Sequence, residues 1–506
     1  MPRTQQISSG IQRLVRLVRL TLLALPALAL IAACDGAPTA ATTESVAAET
    51  LKLPERLHRE GRWLVDNENR IVLLHGVNAV WKLAPYAPPA TAEGFTAADA
   101  DWLLAHGFNA VRLGTLFAGV MPQRGVIDAA YLQQIDRVLQ LLAARGIWVL
   151  LDFHEDMYNE RFQGEGFPAW AVYDDGVPLL LKLGFPGNLF EPATSIAYDN
   201  FWNNHAGLWD QYRAAWRAVA AKWAGQDHLM GYELINEPWP GTRYPLCLPP
   251  LGCPGFDEQQ LQGLQDHARA GIREVDASNL VWFEPLVLLN YGAPTYLGAK
   301  QAVADSNLGF SWHLYCSLPA LSQLHLNKLS CPILDTLVSG AAAKGATRLG
   351  AASLVTEFGA TDDSTELVST TTTFDAQLLG WMYWAYKNWH DPTTSGSGVQ
   401  GLFADDANLG SVKTAKLDLL ERAYPQATAG TPLALSFDPT SAVFSYRYAP
   451  RSAAAPTDIY LPALHYPHGY SVGVSGARVL AASTSTHLLL ENLPGATEVD
   501  VEVRAQ

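Results

Sequence analysis

The sequence contains little cysteine, little basic charge and no long uninterrupted hydrophobic run. Its 506 residues include five cysteines, and none of them forms the Cys-x-x-Cys pairs of structural zinc sites. Lysine and arginine number 34 against 49 acidic residues, so the net charge is −15 and a nucleic-acid partner is not expected. Because 49% of the residues are hydrophobic and only 16% are charged, the chain is globular rather than disordered.

The longest apolar run, residues 20–30, lies close to the N-terminus and is interrupted by a proline. It is too short for a comfortable membrane span, and it follows a basic segment, as in a secretory signal peptide. The run leads into Leu-Ile-Ala-Ala-Cys34, which resembles a bacterial lipobox. We therefore predict a lipoprotein signal peptide over 1–33, lipidation at Cys34, a flexible tether over 34–54 and a location in the bacterial cell envelope. The alternative is ordinary cleavage just before the cysteine, which gives a secreted protein.

Four cysteines remain after Cys34. In an exported protein they suggest two disulfides, and three pairings are possible. Proximity in the sequence favours Cys247–Cys253 and Cys316–Cys331.

From about residue 57 the chain alternates short apolar segments with amphipathic stretches, and this pattern predicts a (β/α)8 TIM barrel over 55–428. A hairpin over 63–71 leads into the first strand. Residues 429–506 show strand-like alternation without a helical period, which predicts a small antiparallel β-sandwich. We interpret it as a structural buttress, with a substrate-contacting module as the alternative. The predicted barrel strands are 71–78, 108–113, 147–152, 229–235, 280–284, 308–315, 353–357 and 381–386.

Two of these apolar segments lead into a glutamate. Glu237 follows the segment 229–235, and Glu357 ends the segment 353–357. The carboxyl ends of barrel strands form the catalytic face, so we expect both side chains there. One such glutamate would most simply be a surface loop residue. A pair, however, is what glycoside hydrolysis needs, since one carboxyl acts as acid and the other as nucleophile or base.

At these positions the sequence resembles glycoside hydrolase family 5, a set of retaining (β/α)8 glycosidases. Within that family, the stretch Asp-Phe-His-Glu-Asp-Met-Tyr at 152–158, Phe-Pro-Ala-Trp-Ala at 167–171 and the trailing β-module resemble the endoglycoceramidases. Glu155 stands where those enzymes usually have glutamine. The matching residues are Arg112, Asn236, Glu237, His313, Tyr315, Glu357 and Trp384.

The resemblance implies a role for each of these residues. Glu237 is expected to be the general acid/base, in an environment that raises its pKa. Glu357 is expected to be the nucleophile, kept ionised by Arg112 and oriented by Tyr315. Asn236 is expected to bind the sugar 2-hydroxyl. The simpler interpretations are an internal salt bridge for Arg112 and core packing for Tyr315.

Further contacts follow from the same resemblance. His313 is expected to support the nucleophile. The additional substrate-binding candidates are Lys82, His154, Asp156, Trp170, Trp202 and Trp384. The tryptophans are expected to stack on sugar faces. The simpler interpretations are a surface position for Lys82, a buried histidine for His154 and core packing for the tryptophans. No metal or cofactor is implied.

We therefore expect a retaining endo-β-glycosidase that cuts between the oligosaccharide and the ceramide of glycosphingolipids. It is expected to act as a monomer at a membrane, with apolar insertions over 161–207 and 240–256 lining a channel for lipid chains. Alternatives within the family are a β-glucosidase, a cellulase and a steryl glucosidase. A non-catalytic carbohydrate-binding lipoprotein is a further alternative, but a binding protein has no need of the two glutamates.

Overall fold

The computed structural model of the chain describes residues 55–315, 327–393 and 398–506. The predicted signal peptide and tether, with Cys34, lie outside the described residues, and so does Cys316. Among the described residues, no helix is long and apolar enough to cross a membrane.

Eight parallel strands close into a barrel, because each strand pairs with the next along the chain and the last pairs with the first. Almost every strand residue is buried, as expected when a parallel sheet is covered on both faces. The prediction of a (β/α)8 barrel is therefore confirmed. After the short strands β1 (His58–Glu60), β2 (Trp63–Val65) and β3 (Ile71–Val72), the barrel strands are β4 (His75–Ala79), β5 (Ala110–Gly114), β6 (Trp148–Asp152), β7 (Leu229–Glu233), β8 (Leu280–Phe283), β9 (Leu308–Leu314), β10 (Ala352–Gly359) and β11 (Gly380–Trp384).

Most of the helices connect successive barrel strands. The third one, Ala129–Ala143, buries apolar side chains three or four positions apart and begins at Asp128, whose carboxylate accepts the N–H groups of Ala130 and Tyr131. The α-helices are α1 (Ala97–Ala105), α2 (Phe117–Val120), α3 (Ala129–Ala143), α4 (Pro192–Trp202), α5 (Leu208–Trp223), α6 (Pro254–Phe256), α7 (Gln262–Arg273), α8 (Asn327–Leu349), α9 (Ser364–Gln377) and α10 (Thr414–Leu420).

The C-terminal module consists of two antiparallel sheets that enclose a separate hydrophobic core. One sheet has the order β1-β2-β3-β12-β15-β18-β17, and the other has the order β13-β14-β19-β16. Its strands are β12 (Tyr424–Thr428), β13 (Gly430–Asp438), β14 (Val443–Pro450), β15 (Thr457–Tyr460), β16 (Tyr470–Ser475), β17 (Ala477–Val479), β18 (His487–Asn492) and β19 (Val499–Ala505).

The N-terminal strands differ from the prediction. The segment 71–78, predicted as one strand, is two: β3 pairs antiparallel with β12, and the barrel begins only at β4. The predicted hairpin therefore belongs to the C-terminal sheet, and the predicted boundary at 428/429 falls between two strands of that module. Local periodicity predicts a strand but not its partner, and here the whole barrel lies between the two partners in the sequence.

Candidate active site

Polar side chains gather at the carboxyl ends of the barrel strands. Glu357 lies within β10, where the pairing with β9 skips a residue, so that Glu357 is paired with His313. Such a bulge redirects a side chain, and it explains why this glutamate is not at the strand tip as predicted. Glu237 lies beyond the end of β7, and its φ of +40° places it in the left-handed region.

Glu357 is buried and hydrogen-bonded through both oxygens. Arg112 donates to Oε1, and the Tyr315 hydroxyl donates to Oε2 at 2.7 Å. Burial raises the pKa of Glu357, while the Arg112 guanidinium opposes that rise. Arg112 and Tyr315 therefore both favour the ionised carboxylate.

Arg112 is fully buried at the centre of the site. Its guanidinium donates to Glu233 through Nε, to Asn236 Oδ1 at 2.8 Å and to Asn78 Oδ1 at 3.1 Å. Nη2 also lies 3.1 Å from an oxygen of Asp152. The planar guanidinium thereby fixes side chains from four barrel elements relative to one another.

The described hydrogen-bond partners of Glu237 are neutral side chains. Asn290 donates to Oε1 at 2.9 Å, and His313 Nδ1 lies 2.8 Å from the same oxygen. Burial lowers the pKa of His313 to about 4, so this imidazole is neutral. Burial, reinforced by the charge of Asp156, raises the pKa of Glu237 to about 7. A carboxyl group with that pKa can hold a proton and release it near neutral pH.

Lys82 lies beside this centre and is 2% exposed, so it is not a surface lysine. Its ammonium group contacts Asp156, Thr393 Oγ1 at 2.8 Å, Asp391 at 3.1 Å and Glu165 at 3.5 Å. Burial alone lowers the pKa of Lys82, but the nearby carboxylates outweigh it and raise the pKa well above its ordinary value. The lysine therefore stays charged.

His154 and Trp384 complete this side of the site. His154 Nδ1 lies 2.8 Å from Asp152 Oδ2, and its ring stacks on Trp384 with centroids 5.2 Å apart. The Lys82 ammonium lies 4.6 Å from the centroid of the Trp384 ring, a cation–π distance. Burial lowers the pKa of His154, but Asp152 and Asp156 outweigh burial and raise it to about 9.

The fold also groups His154, Asp156 and Glu165, whose possible ligand atoms lie within 4.8 Å of one another. Their spacing in the sequence does not indicate this grouping. Two of the three carboxyl and imidazole groups are in contact with the Lys82 ammonium, so the cation that balances their charge is a side chain of the protein itself.

Two of the predicted tryptophans lie elsewhere. Trp170 donates its indole N–H to the Met121 carbonyl at 2.9 Å and packs edge-on against Phe117. Trp202 is 3% exposed and donates to the Trp239 carbonyl at 2.8 Å. The contacts of Trp202 are those of core packing, which was the simpler interpretation. Trp170 is half-buried, with the Arg124 guanidinium 5.8 Å from its ring centroid, and its contact with substrate stays a prediction.

Several residues of the site were missed by the sequence analysis. Glu233 and Asp152 each end a barrel strand, and Glu284 directly follows β8. All three have the pattern that identified Glu237, namely an acid after an apolar segment, so the signal was present. Nothing in the sequence indicated the remaining ones, which come from loops: Glu165, Asn290, Asp391 and Thr393.

The structure contains the predicted disulfide between Cys247 and Cys253, in the loop after β7. Cys331 is buried and disulfide-bonded. Its predicted partner, Cys316, lies outside the described residues.

Two family models match the chain. One is described as cellulase (glycosyl hydrolase family 5) and matches residues 65–390. The other is the glycoside hydrolase family 5 C-terminal domain and matches residues 422–503. Together they cover the barrel and the β-module described above.

Known proteins match over most of their length. Endoglycoceramidase I of Rhodococcus hoagii (strain 103S) is 39% identical over 435 residues, covering 84% of this chain and 84% of that protein. Endoglycoceramidase II from Rhodococcus sp., solved as a lactosyl-enzyme intermediate, has a TM-score of 0.72 at 27% identity and covers 88% of this chain and 99% of its own. In its ganglioside GM3 complex the same enzyme has a TM-score of 0.73 at 26% identity, with 88% and 100% covered.

Proposed function

Because the chain belongs to glycoside hydrolase family 5, we propose that it is a retaining endo-β-glycosidase that hydrolyses the bond between oligosaccharide and ceramide in glycosphingolipids. Family membership makes it a glycoside hydrolase. The relatives named as endoglycoceramidases, and the solved complex with ganglioside GM3, support glycosphingolipids as its substrate class.

The observation that carries the retaining mechanism is the spacing of two carboxyl groups. An oxygen of Glu237 and an oxygen of Glu357 lie within 4.8 Å of each other. Retaining glycosidases hold their carboxyl groups about 5 Å apart, whereas inverting ones leave about 6.5–9.5 Å for a water molecule. The lactosyl-enzyme intermediate of the related structure supports the same covalent route.

The two carboxyl groups have different roles in this proposal. Glu357, hydrogen-bonded by Arg112 and Tyr315, attacks the anomeric carbon and forms the glycosyl-enzyme. Glu237 protonates the leaving oxygen of ceramide and then removes a proton from the incoming water. A pKa of about 7 suits both halves of this cycle, since the group must be an acid first and a base afterwards.

The charged cluster beside Trp384 is proposed to bind the sugar adjacent to the cleaved bond. Lys82, Asp156 and His154 offer donors and acceptors for hydroxyl groups, and the indole offers a flat apolar face. Asn236 keeps one amide hydrogen for the 2-hydroxyl, because its other contacts use Oδ1 and a single N–H.

Exposed apolar side chains support a lipid aglycone. They are large, and they lie on loops after three neighbouring strands; such clustering is unusual on a soluble surface. The loops after β6 and β7 touch each other, since the ring of Phe190 lies 5.2 Å from those of Trp239 and Tyr244. We define the apolar rim as Leu180, Leu181, Leu183 and Phe190 after β6, Leu246, Leu248 and Leu251 after β7, and Tyr291 after β8.

The test is the product released from defined lipids. Lactosylceramide and ganglioside GM3 are incubated with the protein, and Glu357→Gln serves as the inactive control. Intact oligosaccharide and free ceramide are the expected products, detected by mass spectrometry. Stepwise loss of single sugars from the far end, or faster cleavage of cello-oligosaccharides or a steryl glucoside, would exclude the proposed specificity.

We further propose that the enzyme is an exported, monomeric lipoprotein of the bacterial cell envelope, attached through Cys34. The order of basic segment, apolar run and Leu-Ile-Ala-Ala-Cys supports export and the anchor at Cys34. Metabolic labelling with a fatty acid should tag the wild type and not Cys34→Ala. Labelling that survives the substitution would refute Cys34 as the site of lipidation, and an unlabelled wild type would favour secretion without an anchor.

A further inference from the structure

The backbone at Glu237 adopts a conformation that L-residues rarely take. Its φ is +40°, in the left-handed region, and a residue stays there only when surrounding contacts hold it. The described contact of its backbone N–H is with the side chain of Glu284, whose Oε1 accepts at 3.0 Å.

Glu284 is itself fixed in place. It follows β8, is 2% exposed, and is held by both ends of one amide side chain. Gln265 Oε1 accepts the Glu284 N–H at 3.0 Å, and Gln265 Nε2 donates to the Glu284 carbonyl at 2.9 Å. The acceptor that holds Glu237 is therefore anchored to the barrel wall and to α7.

The same carboxyl oxygen also faces the histidine of the site. Glu284 Oε1 lies 3.7 Å from His313 Nε2, while His313 Nδ1 lies 2.8 Å from Glu237 Oε1. Asn290 donates to that same oxygen of Glu237 at 2.9 Å. Because Oε1 is used as an acceptor, the proton of Glu237 belongs on Oε2, the oxygen left for the substrate.

We propose that Glu284 is a positioning residue for the general acid: by accepting the N–H of Glu237, it holds this glutamate in the left-handed conformation that directs Oε2 at the leaving oxygen. The inference rests on the proposed role of Glu237 as acid. Glu284 forms no bond to substrate and transfers no proton in this scheme. Burial, with the charge of Glu233, raises the pKa of Glu284 well above its ordinary value, so the neutral carboxyl places no second negative charge beside the acid.

The experiment compares two leaving groups on one sugar. A 2,4-dinitrophenyl β-lactoside needs no protonation of its leaving group, whereas an octyl β-lactoside does. Glu284→Ala is expected to lower kcat/KM for the octyl substrate about 100-fold and for the dinitrophenyl substrate less than about fivefold, since general acids contribute about 100-fold or more. Glu284→Gln keeps an acceptor oxygen and is expected to restore both values to within about threefold of wild type.

Matched variants separate positioning from a general loss of structure. Glu284→Asp moves the acceptor oxygen back by one methylene and leaves a smaller cavity than Glu284→Ala does. It should change the ratio of kcat/KM for the octyl substrate to kcat/KM for the dinitrophenyl substrate in the same direction as Glu284→Ala. Asp276, 3% exposed, accepts the backbone N–H of Asn279 at 3.0 Å just before β8 begins. Asp276→Asn should lower thermal stability without changing the ratio between the two substrates.

Equal losses on both lactosides, or a Glu284→Gln variant as impaired as Glu284→Ala, would overturn the proposal. Glu237→Gln is the reference variant. If Glu237 is the acid, this variant must lower kcat/KM much more for the octyl substrate than for the dinitrophenyl substrate. If it does not, the role of Glu237 is wrong, and that outcome is distinct from a failure of the role proposed for Glu284. Neither lactoside contains ceramide. An enzyme that cleaves them but not glycosphingolipids would refute the proposed substrate and leave this test valid.

Discussion

The carboxyl group of Glu155 offers a test of how burial controls acidity around the site. The side chain is 2% exposed. Its Oε2 accepts from the Tyr198 hydroxyl at 2.6 Å and from the Tyr158 backbone N–H at 3.0 Å. Burial raises the pKa of Glu155 to about 8, although both hydrogen bonds oppose the rise. Its backbone carbonyl accepts from Asn236 at 2.9 Å, so Glu155 lies directly behind the catalytic residues.

This pKa links folding to pH in a definite direction. In the unfolded chain the Glu155 carboxyl loses its proton near pH 4.5, and in the folded chain near pH 8. Between these values the unfolded state binds fewer protons than the folded state, so the free energy of unfolding falls as pH rises. The full loss is about 5 kcal/mol, because one pKa unit is worth about 1.4 kcal/mol, and it is complete above about pH 8.

The substitution Glu155→Gln removes this loss, because the amide stays neutral and still offers an oxygen to the Tyr158 N–H. Near pH 5 the variant and the wild type are expected to have similar stability. Above about pH 8 the variant is expected to be more stable by up to about 5 kcal/mol. Urea denaturation over this pH range measures the difference. The charged or titratable groups that face Glu155, namely His154, Asp156, Tyr158, Tyr198 and Tyr212, are present in both proteins.

The exposed residue Glu498 provides the matched control, since Glu498→Gln should change stability by a similar small amount at every pH. A Glu155→Gln difference that stays flat with pH would show that Glu155 ionises at its ordinary pKa, and the argument from burial would then be wrong. A difference of the opposite sign would mean that the ionised carboxylate is the form stabilised by Tyr198.

Three further predictions concern the catalytic residues and the cysteines. With Glu237 as the acid, kcat/KM should fall above about pH 7, because the acid then loses its proton. Glu237→Gln should abolish this fall at alkaline pH. A fall that persists in the variant would be caused by another group. Glu357→Ala with azide should give a glycosyl azide of inverted configuration, and Glu237→Ala with azide one of retained configuration, as NMR of the products will show; the reverse outcome exchanges the two roles. Non-reducing peptide mapping should pair Cys316 with Cys331, and a free thiol at either position would contradict it.

The fold was largely predictable because its periodicity is local. A buried parallel strand is a short apolar run, and eight such runs alternating with amphipathic segments leave few arrangements other than a barrel. The glutamates were predictable for the same reason, since Glu237 and Glu357 each come at the end of such a run. Glu284 has the same pattern, but glycoside hydrolysis needs only two carboxyl groups, so the pattern alone assigns Glu284 no role.

What could not be predicted depends on contacts between distant segments. The pairing of β3 with β12 joins two segments that are separated in the sequence by the whole barrel, and no feature of either segment specifies it. Lys82 looked like a possible surface residue because its partners come from two distant segments of the chain: Asp156 and Glu165 follow β6, and Asp391 follows β11. Trp170 shows the same limit: tryptophan is suited to a sugar face and to a core, and its hydrogen bond to the Met121 carbonyl could not be read from the sequence.

The placement of one cation accounts for the different roles of two chemically identical glutamates. Burial raises the pKa of both Glu237 and Glu357, so desolvation alone does not distinguish acid from nucleophile. Glu357 has the Arg112 guanidinium in direct contact, which favours its charged form. The described hydrogen-bond partners of Glu237, Asn290 and His313, are an amide and an imidazole that burial keeps neutral, so neither brings a positive charge into contact with this carboxyl. The more distant charges of His154, Arg112 and Lys82 lower the pKa of Glu237 but do not cancel the rise caused by burial and Asp156. The proton therefore stays on Glu237 because the arginine lies against the other carboxyl, and this is a property of the folded barrel that neither glutamate's local sequence contains.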